Sequence, residues 1–240
     1  KLKEIFISLF FLRPAVDAYR VSTNHQDEAA VSSLAQLSIT KAIELSTEAI
    51  PGCVLQVFVL IQNPTQISTA TLVSIGISTL TIGFTSASIS FDGDVDVSHR
   101  KVTPNFFGYI PDDINLQGRC FALMMLISAL HSLSRSVGVA MLAMCGGTRL
   151  VALFVGGETV MYFAYKIARR DFIYFARLDG RLVFATAAFL NNLLSKVMVD
   201  YCGCVLLRHS YGLGGAAFCA SLLWAQAMPF VALSLFDEGK

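Results

Sequence analysis

The stretch Cys120-Phe-Ala-Leu-Met-Met-Leu-Ile-Ser-Ala-Leu-His131-Ser-Leu-Ser-Arg135-Ser-Val-Gly-Val-Ala-Met-Leu-Ala-Met-Cys145 sets the fold class. A helix needs about 20 mostly apolar residues to cross the hydrocarbon core of a bilayer. This run exceeds that length, contains no proline, and carries only two basic or acidic side chains, His131 and Arg135. It reads as a transmembrane helix with a charge near its middle.

On either side of it the same signature repeats. Further apolar runs lie at about 43–62, 66–91, 150–165 and 182–207, and another at 214–236 carries Trp224 and Pro229. A shorter run at 5–12 cannot span a bilayer, and no small-residue cleavage site follows it as a signal peptide requires. The chain is expected to be a fragment that begins near the end of a helix. The expected fold is all-α: a polytopic helix bundle of six spans and part of a seventh, forming one transmembrane domain over residues 1–240.

Composition agrees. Hydrophobic residues make up 55% of the 240 and charged residues 15%, against roughly 25% charged in soluble domains. Mean hydropathy is +0.62. The net charge of +1 and the lack of a basic patch with interleaved aromatics argue against a nucleic-acid partner. The six cysteines form no CxxC pair, so they read as small core residues and not as a zinc site or disulfide framework.

The links between runs are of two kinds. Those at 63–65 and 146–149 are short enough to make their flanking helices antiparallel neighbours. Those at 13–42, 92–119 and 166–181 are longer and polar. With the C-terminal tail, the side bearing the long links holds twelve Lys and Arg against four on the other. The positive-inside rule therefore places the long links in the cytoplasm, with the plasma membrane as the expected location.

Ionisable groups inside spans are costly, so they face a bundle interior, a partner or water. Glu44, Glu48 and Gln56 recur at helical spacing, and His131 and Arg135 stand one turn apart. Glu158 is mid-span, and Asn192, Lys196 and Asp200 repeat every four residues. The ordinary reading is internal pairing: Lys196 with Asp200 along one helix, Arg135 with Glu158 or Glu48 across the bundle. The sharper reading is a polar track for ions or lipid headgroups. Pro51 and Gly52 interrupt the first span just after Glu48, where proline frees a carbonyl and kinks the helix. The small residues of the second span (Ser74, Gly76, Ser78, Gly83, Ser86) read as close helix packing.

No catalytic constellation is present: GxSxG, HExxH and a Walker loop are all missing, so no enzyme activity and no cofactor are expected. Asp92-Gly93-Asp94-Val95-Asp96 has the alternating carboxylates of a calcium loop, but Val97 and Thr103 occupy the positions that need glycine and glutamate. It reads as a solvated acidic loop without a metal. The aromatic stretch 105–113 suits a segment at the membrane surface.

Glu48-Ala-Ile-Pro51-Gly52-Cys-Val-Leu55-Gln56 resembles the intramembrane Glu-x-x-Pro-Gln-x-x-Leu-Gln motif of the XK-related family. Glu48, Pro51, Leu55 and Gln56 match, and Gly52 stands where the family has glutamine. The approach through Leu12-Arg13-Pro14 and Tyr19 is similar too, and the resemblance covers residues 10–90. It implies an all-helical multipass protein lacking the family's first helices. It further implies passive, ATP-independent movement of phospholipids with Glu48 and Gln56 in the core, membrane lipids as partners, and a partner membrane protein. An ion channel, a secondary transporter, or a structural subunit held by buried ion pairs remain the alternatives.

Overall fold

The structure is a computed structural model that describes residues 33–97, 101, 110–168, 181–203, 220, 223, 224, 226–228 and 230–234. Among these residues it is helical throughout, with no strand. Helix α1 (Ser33–Glu44) runs through a π-helical turn (Leu45–Ala49) into α2 (Ile50–Gln62). Helix α3 is Thr69–Val95, α4 is Ile114–Val151, a second π-helical turn covers Ala152–Gly156, and α5 (Gly157–Ala168) and α6 (Arg181–Cys202) come next. Among the described residues three continuous helical stretches are long and apolar enough to cross a membrane: Leu37–Gln62, Thr69–Val95 and Ile114–Ala168.

The last of these doubles back. Arg135 and Glu158 are 2.5 Å apart, whereas 23 residues of straight helix would separate them by about 34 Å. The reversal is at Gly146 (φ −139°, ψ 16°) and Gly147 (φ 62°, ψ −160°), both outside the helical region. The Gly147 conformation is essentially open to glycine alone. The α2–α3 hairpin is equally direct. Asn63 N–H closes α2 onto the Val59 carbonyl at 3.1 Å, and the Ser68 hydroxyl caps α3 by accepting from Thr71 N–H at 3.1 Å. Ser78 Oγ then donates across to Gln56 Oε1 at 3.1 Å.

Helices α3 and α4 pack antiparallel along small residues. Gly83 faces Met125 and Ala129 so closely that a Cβ on it would come within 2.5 Å of the Met125 carbonyl oxygen. Lower down, Phe91 meets Phe121 edge-on at 5.5 Å. One core joins Leu45, Ile50, Cys53 and Val57 to Ile75, Ile82, Ala140, Met198 and Cys202. A second joins Val139, Met141 and Leu142 to Met228 and Ala232. Cys53 and Cys202 are buried while Cys120 and Cys145 are half-buried, all with free thiols; Cys204 and Cys219 lie outside the described residues.

Polarity is inverted relative to a water-soluble bundle. On α4 the exposed side is Leu123, Leu126, Ile127 and Leu130, and the buried side is Ser128, His131, Ser132, Arg135 and Ser136. On α3 the exposed row is Val73, Ile77, Leu80 and Phe84. Rows at this spacing occupy one helix face, and here the apolar face points outward.

Several expected boundaries move. Helix α1 begins inside the polar link drawn over 13–42, and the link drawn over 92–119 loses Asp92–Val95 to α3 and 114–119 to α4. Hydropathy marks only the hydrocarbon-embedded part of a helix, whereas the backbone ladder continues until something caps it. At Asp113 that something is its carboxylate, which accepts from Asn115 N–H at 2.9 Å. The acidic loop is corrected likewise. Asp94 is buried and accepts from Ile110 N–H at 2.8 Å, pinning the incoming chain instead of facing water. Lys166, counted in the link 166–181, is buried within α5. Lys41 reaches Asp92 at 3.9 Å, so the start of the first span and the end of the second share one end of the bundle. The run at 5–12 lies outside the described residues, as do 204–207 of the run at 182–207, 214–219 of the run at 214–236, and 105–109 of the aromatic stretch.

Candidate functional site

Among the described residues the two largest fully buried side chains are both charged: Arg135 and Lys196. Each is delivered by a different helix to the carboxylate of Glu158, which opens α5. Arg135 Nη2 meets Glu158 Oε2 at 2.5 Å, and Lys196 Nζ meets Oε1 at 3.0 Å. Lys196 also holds both oxygens of Asp200, one turn along α6, at 2.5 and 2.7 Å. Two cations and two carboxylates therefore alternate in one buried chain spanning α4, α5 and α6. The guanidinium also donates from Nη1 to Met228 Sδ at 3.1 Å and lies over the Tyr201 ring, 5.8 Å from its carbon to the ring centroid, while its buried Nε has no hydrogen-bond partner among the described residues.

Beside this network runs a neutral one. His131 Nε2 donates to the Asp200 carbonyl at 2.7 Å, because a carbonyl can only accept. Its Nδ1 is thereby the acceptor for the Gln226 amide. The Ser128 hydroxyl donates to the Cys202 carbonyl, so in the 2.5 Å Ser86–Ser128 contact the proton comes from Ser86. Carbonyls at the C-terminus of a helix have no intrahelical donor; here α4 supplies it through Ser128 and His131, and α3 backs Ser128 with Ser86. Gly203, at φ 64°, ends α6 directly against the His131 ring.

Of the residues singled out in the sequence, the structure brings His131, Arg135, Glu158, Lys196 and Asp200 into contact. Asn192 is buried on the same helix as Lys196. Between the two partners open to Arg135, it takes Glu158. Glu44 and Glu48 do not join the group. Both are exposed, whereas Gln56 is half-buried against Ser78, so the expected common face, with Glu48 in the core, does not form. The cause is local. Pro51 has no N–H for the helix ladder, and the turn before it widens: Ile50 N–H bonds back to the Leu45 carbonyl, five residues away. The extra residue in that turn rotates α2 by about 100° relative to α1. Thr47 Oγ1, bonded to the Ile43 carbonyl at 2.8 Å, satisfies an acceptor in the same region.

Sequence reasoning missed Met228, Gln226 and the Ser86–Ser128–Cys202 relay. The one available signal was the i, i+4 run Ser128, Ser132, Ser136 beside the charged positions of α4. Chemically the buried network is paired except at Arg135 Nε. Its formal charges cancel, and both Glu158 oxygens are engaged, so it ties three helices together and offers no reacting group. Among the described residues no three His, Cys, Asp or Glu side chains are grouped to hold a metal ion. No family of known proteins matches this chain, and no curated protein or solved structure matches it.

Proposed function

We propose that this is a multipass membrane protein of the XK-related kind that lets phospholipid headgroups cross the bilayer passively, along the exposed acidic face of its first described span. One observation carries the reading. Glu44 and Glu48 are exposed on a helix long and apolar enough to cross a membrane, with no ion pair or hydrogen-bond partner among the described residues. Glu48 lies eleven residues from Leu37 and fourteen from Gln62, the ends of that span, and is therefore near mid-bilayer. A carboxylate facing lipid there costs roughly 2.5–3.5 kcal/mol or more. Water or headgroups drawn to the helix relieve that cost, and a helix that draws headgroups to mid-bilayer lowers the barrier to their passage. The resemblance at Glu48–Gln56 supports passive lipid movement but not its place on the helix, since it implies Glu48 in the core and Glu48 is exposed. In this scheme the links 13–42, 92–119 and 166–181 face the cytoplasm of a plasma-membrane protein, and a partner membrane protein assists.

The test is leaflet exchange of a fluorescent phospholipid in vesicles. Exchange is expected well above protein-free vesicles, falling several-fold in Glu44→Gln, Glu48→Gln and less in Gln56→Ala. Exchange no faster than in empty vesicles overturns the reading. The paired Arg135–Glu158–Lys196–Asp200 network favours a second one, a structural membrane subunit whose buried charges only join helices. Normal folding with neither lipid nor ion flux would select it over a transporter.

A further inference from the structure

Beside Glu158 lies a cavity of about 590 Å³ that neither Arg135 nor Lys196 lines, within the roughly 300–1,000 Å³ range of small-molecule sites. Its walls are Phe154, Gly157, Glu158, Met161, Tyr162 and Trp224, with few polar atoms. We propose that it binds a neutral, ring-containing apolar molecule drawn from the bilayer, a site separate from the exposed acidic face. Four observations converge. The Phe154 and Trp224 rings are parallel to within 1° at 6.0 Å, and with Tyr162 they offer flat surfaces suited to stacking on another ring. The only carboxylate among the described wall residues has both oxygens engaged by cations, so a charged ligand would be desolvated against a neutral surface. A π-helical turn, Ala152–Gly156, presents Phe154, and such turns recur at functional sites. Gly157 keeps the space open, since a Cβ there meets nothing within 4 Å.

Trp224 is the sole tryptophan of the chain, so its emission reports on this cavity alone. The experiment titrates para-bromobiphenyl, a heavy-atom quencher, into the protein in phosphatidylcholine nanodiscs. Saturable quenching is expected above the linear background of a compound dissolved in lipid, relieved by unbrominated biphenyl. In Gly157→Leu, which fills the cavity, the saturable part should weaken about tenfold or more, near 1.4 kcal/mol. The competition arm needs no variant and stands if Gly157→Leu fails to fold. Quenching that is linear and unrelieved by biphenyl overturns the proposal. So does strong quenching by chain-brominated phosphatidylcholine that biphenyl does not displace, which would assign the cavity to a lipid chain.

Discussion

Arg135 shows how a residue alien to hydrocarbon becomes the centre of a membrane bundle. Its exposure is 1%, and it survives there because Glu158, Met228 and Tyr201 surround it. Breaking a buried pair from one side leaves an uncompensated charge and costs roughly 3–5 kcal/mol, while replacing both partners by apolar groups is often neutral. Arg135→Leu is therefore expected to lower thermal stability in detergent sharply, and Arg135→Leu, Glu158→Leu to recover much of the loss. A double variant as unstable as the sum of its singles would show that the contact contributes nothing. The sequence offered Arg135 two acceptors without deciding between them. Arg135 and Glu158 lie equally far from the Gly146–Gly147 break, which is the clue in retrospect. Glu48 was excluded by a π-helical turn that hydrophobic periodicity does not register.

Among the helices, glycines sort by what a Cβ would meet. Gly83 lets α3 and α4 touch backbone to backbone, so Gly83→Ala should separate the helices and destabilise by about 1–3 kcal/mol, the usual cost of overpacking. Gly52 sits in α2 with open space around it. There alanine should stabilise by about 0.5–1 kcal/mol through its better helix propensity. Unfolding the two variants side by side in one detergent checks both signs, and equal effects would refute the packing argument. The Ser and Gly content of the second span was legible as a packing face, and the Ser86–Ser128 contact is part of it. Which helix it packs against was not legible, because small residues permit close approach without specifying a partner.

For the molecule as a unit the inverted polarity of α3 and α4 is the organising fact: rows of leucine, isoleucine, valine and phenylalanine face outward, while serines, His131 and paired charges join the apolar core inside. An arginine on the outer face should be tolerated by a protein bathed in water and resisted by one bathed in lipid. Leu126→Arg is expected to cost insertion of α4 on the order of 2.5–3.5 kcal/mol, read as a loss of membrane-integrated protein in a glycosylation-mapped insertion assay. Unchanged insertion would argue that this face does not meet lipid. The solvent, the helical class and the positions bearing charge inside apolar runs were already set by the sequence, because length, hydropathy and the 3.6-residue repeat are local properties. Tertiary structure alone settled which charges neutralise one another, that Glu44 and Glu48 stay outside, and that Asp94 is buried against Ile110. Those outcomes depend on chain reversals and on one widened turn before Pro51. Each changes the direction of side chains many residues away, so no window of sequence contains the answer.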